Sequence, residues 1–201
     1  MNMSLLGTYD YPTTEGNDIW GWVDGNDNEY ALVGLRSGFS VVNVTNPFSP
    51  IEEFFISDLN STWRDIKTWG NYAYVTTEAD AGLLIVDLTD MTGNTYNHVT
   101  QFTNNNGGSV SFTSAHDIYI DENGIAYIFG AGGPGFQPNG AIFLDVNANP
   151  TNPVYLGEWN EEYIHDGMVR GDTMWAGCVY AGKLVCVDVS DKSNPQTLGS
   201  V

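Results

Sequence analysis

The sequence predicts an all-β chain folded as a β-propeller of four-stranded blades, about four of them, with a β-sandwich as the alternative. Three observations lead there. Short runs rich in Val, Ile, Tyr and Trp, punctuated by Gly and Asn-Pro, recur in groups of four, which is the repeat signature of propeller blades. The groups keep step with an Asp motif returning about every 50 residues: Asp18 in "NDIWGWVD", Asp65 in "WRDIKTWG", Asp117 in "HDIYIDENG" and Asp166 in "HDGMVRGD". No segment carries a sustained helical period of apolar residues.

Each unit opens on its Asp-bearing run. Second runs follow as "EYALVGL", "YAYVTT", "IAYIFG" and "TMWAG", and fourth runs as "IEEFFIS", "HVTQFT", "PVYLGEW" and the short "QTLGSV". The third runs, "FSVVNVTNP", "LLIVDLTD", "AIFLDVNANP" and "LVCVDVSD", are continuously apolar, as expected when neighbouring blades cover both faces. The units span approximately 17–57, 64–103, 116–159 and 165–201 of one domain. Asn43, Asp87, Asp145 and Asp188 close the third runs, followed two positions later by Thr45, Thr89, Asn147 and Ser190. Short oxygen-bearing side chains there accept hydrogen bonds from the next amides and fix the turn. The "NVT" at 43–45 falls inside that turn, so "NST" at 60–62, in a connecting loop, is the better glycosylation acceptor.

Residues 4–11, in "SLLGTYDYP", read as an extra outer strand similar to "PVYLGEWNEEY". Two arrangements follow: this strand closes a four-bladed ring against the last unit, or the chain is a fragment of a larger propeller. The shortness of the last fourth run favours the fragment, with the remainder of the propeller as a partner.

The chain has 201 residues, 42% of them hydrophobic, enough for a real core. Lys and Arg total 6 against 25 Asp and Glu, a net charge of −19. Such a surface repels phosphate backbones and anionic membranes and attracts divalent cations, so nucleic-acid binding is not expected. No run is long and apolar enough for a membrane helix, and "MNMSLLGTYDYP" lacks the basic-then-apolar order of a signal peptide. Cys178 and Cys186 flank Gly182 in "CVYAGKLVC"; a hairpin turning at that glycine sets them opposite each other for a disulfide, while two buried thiols are the alternative.

"LLIVDLTD" and "LVCVDVSD" resemble the LVIVD repeat of bacterial and archaeal cell-surface proteins. The pattern of "NDIWGWVD", "STWRDIK" and "YIHDGMVRGD" is similar to the choice-of-anchor B family, secreted β-propellers that usually carry a separate C-terminal anchoring or sorting segment. The resemblance implies a secreted or cell-surface location and more repeats than the four seen here. It brings no catalytic residues.

In a propeller the first strands lie innermost, so Asp18, Asp65, Asp117 and Asp166 are expected as a ring at the channel mouth, with Arg64, His116 and His165 beside them. Close carboxylates repel unless compensated, and Ca²⁺, which takes several oxygen ligands, is one compensator. The competing role is structural: each acid accepts backbone N–H bonds and joins neighbouring blades. The residue before each Asp varies through Asn17, Arg64, His116 and His165, which speaks for a repeat feature first and chemistry second. Glu78 and Asp80, in the loop after the second run, are expected toward the same end. Phe136, within the Gly/Pro loop 130–141, is an expected binding-loop anchor. Among the Trp residues, Trp20, Trp22, Trp69 and Trp175 are assigned to blade packing, whereas Trp63 and Trp159 are the candidates for a binding surface. No nucleophile elbow and no P-loop Lys occur.

The expected function is therefore a binding or adhesion module for protein or glycan at the cell surface, Ca²⁺-stabilised at the channel. The alternatives are a metal-dependent hydrolase using His116, His165 and the acid ring, and a purely structural surface-layer unit.

Overall fold

A computed structural model of the chain describes residues 3–133 and 139–201. They form a β-propeller architecture of four antiparallel four-stranded sheets. The first blade is β1 (Gly16–Val23), β2 (Glu29–Leu35), β3 (Gly38–Asn43) and β4 (Ile51–Ser57). The second is β5 (Ile66–Trp69), β6 (Tyr72–Val75), β7 (Leu83–Asp87) and β8 (Tyr96–Val99), followed by a hairpin of β9 (Gln101–Thr103) and β10 (Ser109–Ser111). The third is β11 (Asp117–Ile120), β12 (Ile125–Phe129), β13 (Ala141–Asp145) and β14 (Val154–Trp159). The fourth is β15 (Asp166–Arg170), β16 (Thr173–Cys178), β17 (Lys183–Asp188) and β18 (Gln196–Ser200). The sheets pack side by side through their first strands, β1 on β5, β5 on β11 and β11 on β15, and not as the two facing layers of a sandwich.

Burial follows this order. Every residue of β7 and β13 but the closing Asp is buried, because a blade covers each face. β17 instead alternates, burying Val185 and Val187 while exposing Leu184, since only the third blade covers it. Three apolar clusters fill the boundaries, around Leu32, Phe39 and Ile66, around Leu83, Ile118 and Ile142, and around Phe129, Phe143 and Met174.

The turn chemistry is as the sequence reads. Oδ1 of Asn43, Asp87 and Asp188 accepts the N–H of Thr45, Thr89 and Ser190 at 3.0, 2.9 and 2.9 Å. Asp145 departs by one residue, taking the N–H of Ala148 at 2.8 Å. The third-to-fourth strand pairing shifts register in the first, third and fourth blades, which adds local twist to the outer strand.

Three local expectations change. The run "HVTQFT" is not one strand: β8 ends at Val99 and Gln101 begins the β9–β10 hairpin. Its turn is made by Asn104, whose Oδ1 accepts the N–H of Asn106 at 2.9 Å and of Gly108 at 2.8 Å, with Gly107 at φ 83°, a left-handed backbone that suits glycine. Phe102 then stacks on Phe112 with centroids 5.2 Å apart. Residues 4–11, expected as an extra outer strand, lie along the rim outside any sheet, and the last of them, Tyr11, donates to Ser40 Oγ at 2.9 Å. Cys178 and Cys186 are both free. The β16–β17 turn sets Cys178 opposite Lys183 and Cys186 opposite Trp175, so the two sulfurs occupy opposite faces and cannot bond.

Candidate functional site

The repeated acids form a ladder that crosses blade boundaries. Asp18 Oδ2 accepts the N–H of Ile66 at 2.9 Å, Asp65 Oδ2 that of Ile118 at 3.0 Å, and Asp117 Oδ2 that of Gly167 at 3.3 Å. Each carboxylate thus holds the amide that follows the next blade's Asp. Lys67 Nζ donates to Asp65 at 3.1 and 2.9 Å and lies 4.7 Å from the Trp20 ring centroid, a cation–π contact.

Asp65 is also in contact with both Asp18 and Asp117. Burial, then hydrogen bonding to Asp65, then the Asp65 charge push Asp117 up to about 9. Burial followed by the same neighbour raises Asp18 to about 6. Burial acts to raise Asp65 as well, but hydrogen bonds from Asp117 and Asp18 and the Lys67 ammonium hold it below the usual carboxylate range. At neutral pH, Asp117 therefore carries a proton and donates to an ionised Asp65. The mutual repulsion is relieved by one proton, one ammonium and three backbone amides. Among the described residues, no group of three or more His, Cys, Asp and Glu is arranged to hold a metal ion.

Above the ladder, a depression of about 170 Å³ is lined by all four acids with Asn17, Trp63, Arg64, His116 and His165. His116 Nδ1 pairs with Glu78 Oε1 at 2.7 Å. The His116 ring sits 4.1 Å from that of His165 and 5.9 Å from that of Trp63, and Trp63 is 52% exposed.

Other candidates lie elsewhere. The Arg64 guanidinium is buried beneath the depression, donating Nε to Leu35 O at 2.8 Å, Nη1 to Asp58 Oδ2 at 2.7 Å and Nη2 to Leu59 O. It fastens the strap between the first two blades. Asp80 is tied to the Thr113 hydroxyl at 3.0 Å. Trp159, expected on a binding surface, is only 3% exposed; its indole donates to Thr197 Oγ1 at 3.0 Å and packs the third blade against the fourth. The packing expected of Trp20, Trp22 and Trp69 is seen in indole bonds to Thr68, Gly70 and Asn147 of the following blade. Phe136 lies outside the described residues. The sequence reading missed Tyr163 and Tyr180, whose rings meet at 4.7 Å; only their distance from the regular strands marked them.

Fold and ladder together define a β-propeller chain of four-stranded blades. The family model described as the LVIVD repeat matches residues 62–93 and 178–201. No curated protein matches the sequence. Among solved structures, the periplasmic gluconolactonase PpgL of Pseudomonas aeruginosa aligns with TM-score 0.64 and 11% identity over 92% of this chain and 54% of its own. PorZ, a bacterial surface component of the type-IX secretion system of Porphyromonas gingivalis, aligns with TM-score 0.63 and 14% identity over 100% of this chain and 29% of its own. A Lactobacillus plantarum protein aligns with TM-score 0.62 and 10% identity over 93% of this chain and 55% of its own. At these identities the likeness shows the fold alone. The chain spans about half the length of the first structures it matches, 53%, 54% and 55%. No helix is long and apolar enough to cross a membrane among the described residues.

Proposed function

We propose that the chain is a secreted or cell-surface binding module that takes a protein or glycan ligand at the channel mouth. One observation carries this reading: Asp18, Asp65 and Asp117 are consumed in joining blades, whereas Trp63, His116 and His165 present adjoining, partly open rings above them. Exposed aromatic faces beside hydrogen-bonding imidazoles suit sugar rings and peptide side chains alike. The LVIVD match and the likeness to a surface component support the location.

The test is binding of the purified chain to a glycan array and to immobilised cell-surface protein, for wild type, Trp63→Ala and His165→Ala. Loss of capture in both variants with an unchanged melting temperature supports the module. Capture unaltered by either places the ligand elsewhere, and no capture at all leaves a structural surface-layer unit. Calcium is tested alongside, by metal analysis and melting before and after chelation, on wild type and Asp117→Ala.

A second reading is a hydrolase. The Glu78 carboxylate fixes His116 through Nδ1 and leaves Nε2 without a partner among the described residues, the orientation a general base requires. Hydrolysis of a sugar lactone by the wild type, abolished in His116→Ala, would favour it over the module.

A further inference from the structure

The depression above the ladder is rich in acids and poor in usable cations. Asp18, Asp65, Asp117 and Asp166 line it, and beside its His116 wall stands Glu78, whose side chain is 44% exposed. Of the described basic side chains, Arg64 lines it and Lys67 adjoins it, and both are spent. The Arg64 head is turned down onto Asp58, Leu35 O and Leu59 O, with its side chain fully shielded from solvent. The Lys67 ammonium is bound to Asp65 and to Ile66 O. That ammonium does not suffice for all the acids, since Asp117 stays protonated, through burial first and the Asp65 neighbour next. A ligand carrying a carboxylate, sulfate or phosphate would meet mainly like charge here, whereas a cation would meet its complement.

The aromatic wall suits a cation as well as the charges do. Trp63 is 52% exposed at this mouth, and an indole face attracts cations more strongly than the other aromatic rings. The chain already uses that pairing nearby: Lys67 Nζ lies 4.7 Å from the Trp20 ring centroid while bound to Asp65 Oδ2 at 2.9 Å. Trp63 and Glu78 supply the same two parts, an indole and a carboxylate, and both adjoin His116. All three residues belong to the second and third blades, each of which has a neighbour on both sides within the chain.

Size narrows the ligand further. A volume of about 170 Å³ falls below the roughly 300–1,000 Å³ of pockets that enclose a drug-sized molecule. The depression therefore receives one side chain and not a length of polymer.

We infer that the depression takes a single basic side chain of a protein partner, an arginine by preference, stacked on Trp63 and hydrogen-bonded to Glu78. This rests on the reading of the mouth as a binding site and narrows its ligand to an exposed basic residue. Arginine is preferred over lysine because a planar guanidinium stacks on an indole face while its edge bonds a carboxylate.

The test titrates the full, isotope-labelled chain with blocked pentapeptides, Gly-Gly-Xaa-Gly-Gly, and follows the Trp63 indole and His116 signals by NMR. The central residue is arginine, lysine or citrulline, the uncharged counterpart of arginine; methyl glucoside and glucosamine are the sugar probes. Titration to about 10 mM reads millimolar affinity. The arginine peptide should bind about tenfold tighter than the citrulline peptide, the difference one charge-assisted hydrogen bond makes, with lysine between them. Raising NaCl from about 50 to about 500 mM should weaken the arginine peptide and leave the citrulline peptide unchanged, because screening acts on charge. Glu78→Gln, which keeps a partner for His116, should weaken the arginine peptide about tenfold, and Trp63→Leu about threefold, with circular dichroism unchanged in both.

Equal binding of arginine and citrulline peptides, or a sugar probe bound more tightly than the arginine peptide, overturns the inference while the mouth remains a binding site. An arginine peptide that moves neither the Trp63 nor the His116 signal, or whose binding survives both substitutions, overturns it as well. Silence of every probe, together with no capture on glycans or surface protein, removes the underlying reading too.

Discussion

Asp65 Oδ2 and the backbone N–H of Ile118 meet across a blade boundary at 3.0 Å, and the same carboxylate binds Lys67 within its own blade. One side chain thereby fixes the spacing of two sheets. In Asp65→Ala the cross-blade bond to the Ile118 amide is lost while that amide keeps Asp117 Oδ1 at 2.8 Å, a loss of about 0.5–1.5 kcal/mol. The melting temperature should fall by roughly 2–4 °C for each kcal/mol, read by calorimetry.

The proton on Asp117 gives stability a definite pH slope. Its carboxyl is raised in the folded state from 3.8 to about 9, so the native chain holds a proton that the unfolded chain has released. That contribution is complete below the unfolded value and is lost as pH rises through the folded one. Asp18, raised to about 6, acts in the same direction over the lower part of the window. The melting temperature should decline from pH 5 to pH 9, and Asp117→Asn, which mimics the protonated form, should flatten that decline. A stability that rises across this window would contradict the proton assignment.

Arg64 and Asp58 form a pair with almost no exposure. Arg64→Met leaves the Asp58 carboxylate buried without its guanidinium, a loss of about 3–5 kcal/mol. Urea denaturation should show a lowered midpoint. The double variant Arg64→Met/Asp58→Leu should recover part of the loss, because no charge is then stranded.

Cys178 and Cys186 should remain two thiols. Mass spectrometry after alkylation of the denatured, unreduced chain should find both modified, and reductant should leave the melting temperature unchanged.

Gly157 faces the Lys192 carbonyl so closely that any Cβ must move backbone. Gly157→Ala should destabilise by about 1–3 kcal/mol, the range for overpacking, whereas Gly199→Ala should be nearly silent in the single chain.

The repeat was legible because it is written in local chemistry. Each third strand is apolar on both faces, and each closing acid or amide caps its own turn. The blade-joining role of Asp18, Asp65 and Asp117 was also open to sequence reasoning, since a changing neighbour beside a fixed Asp points to the backbone as its partner. What could not be read were relations between side chains distant in sequence. Glu78 finds His116 only because adjacent blades bring the two loops together. Trp159 looks like a surface residue until Thr197 meets it. Arg64 precedes its Asp as His116 does, yet a neighbouring strap draws its guanidinium inward. The choice between a disulfide and two thiols stayed open for the cysteines, because a palindromic-looking stretch does not reveal the turn register that sets them on opposite faces.

Because each carboxylate ties its blade only to the next one, cooperativity in this chain is nearest-neighbour. In this stretch of four blades taken alone, loosening should start at the first and fourth, each covered on one side within it, and travel inward. Amide exchange should then be slowest in β7 and β13, so the chain melts as a stack whose ends fray while its middle holds.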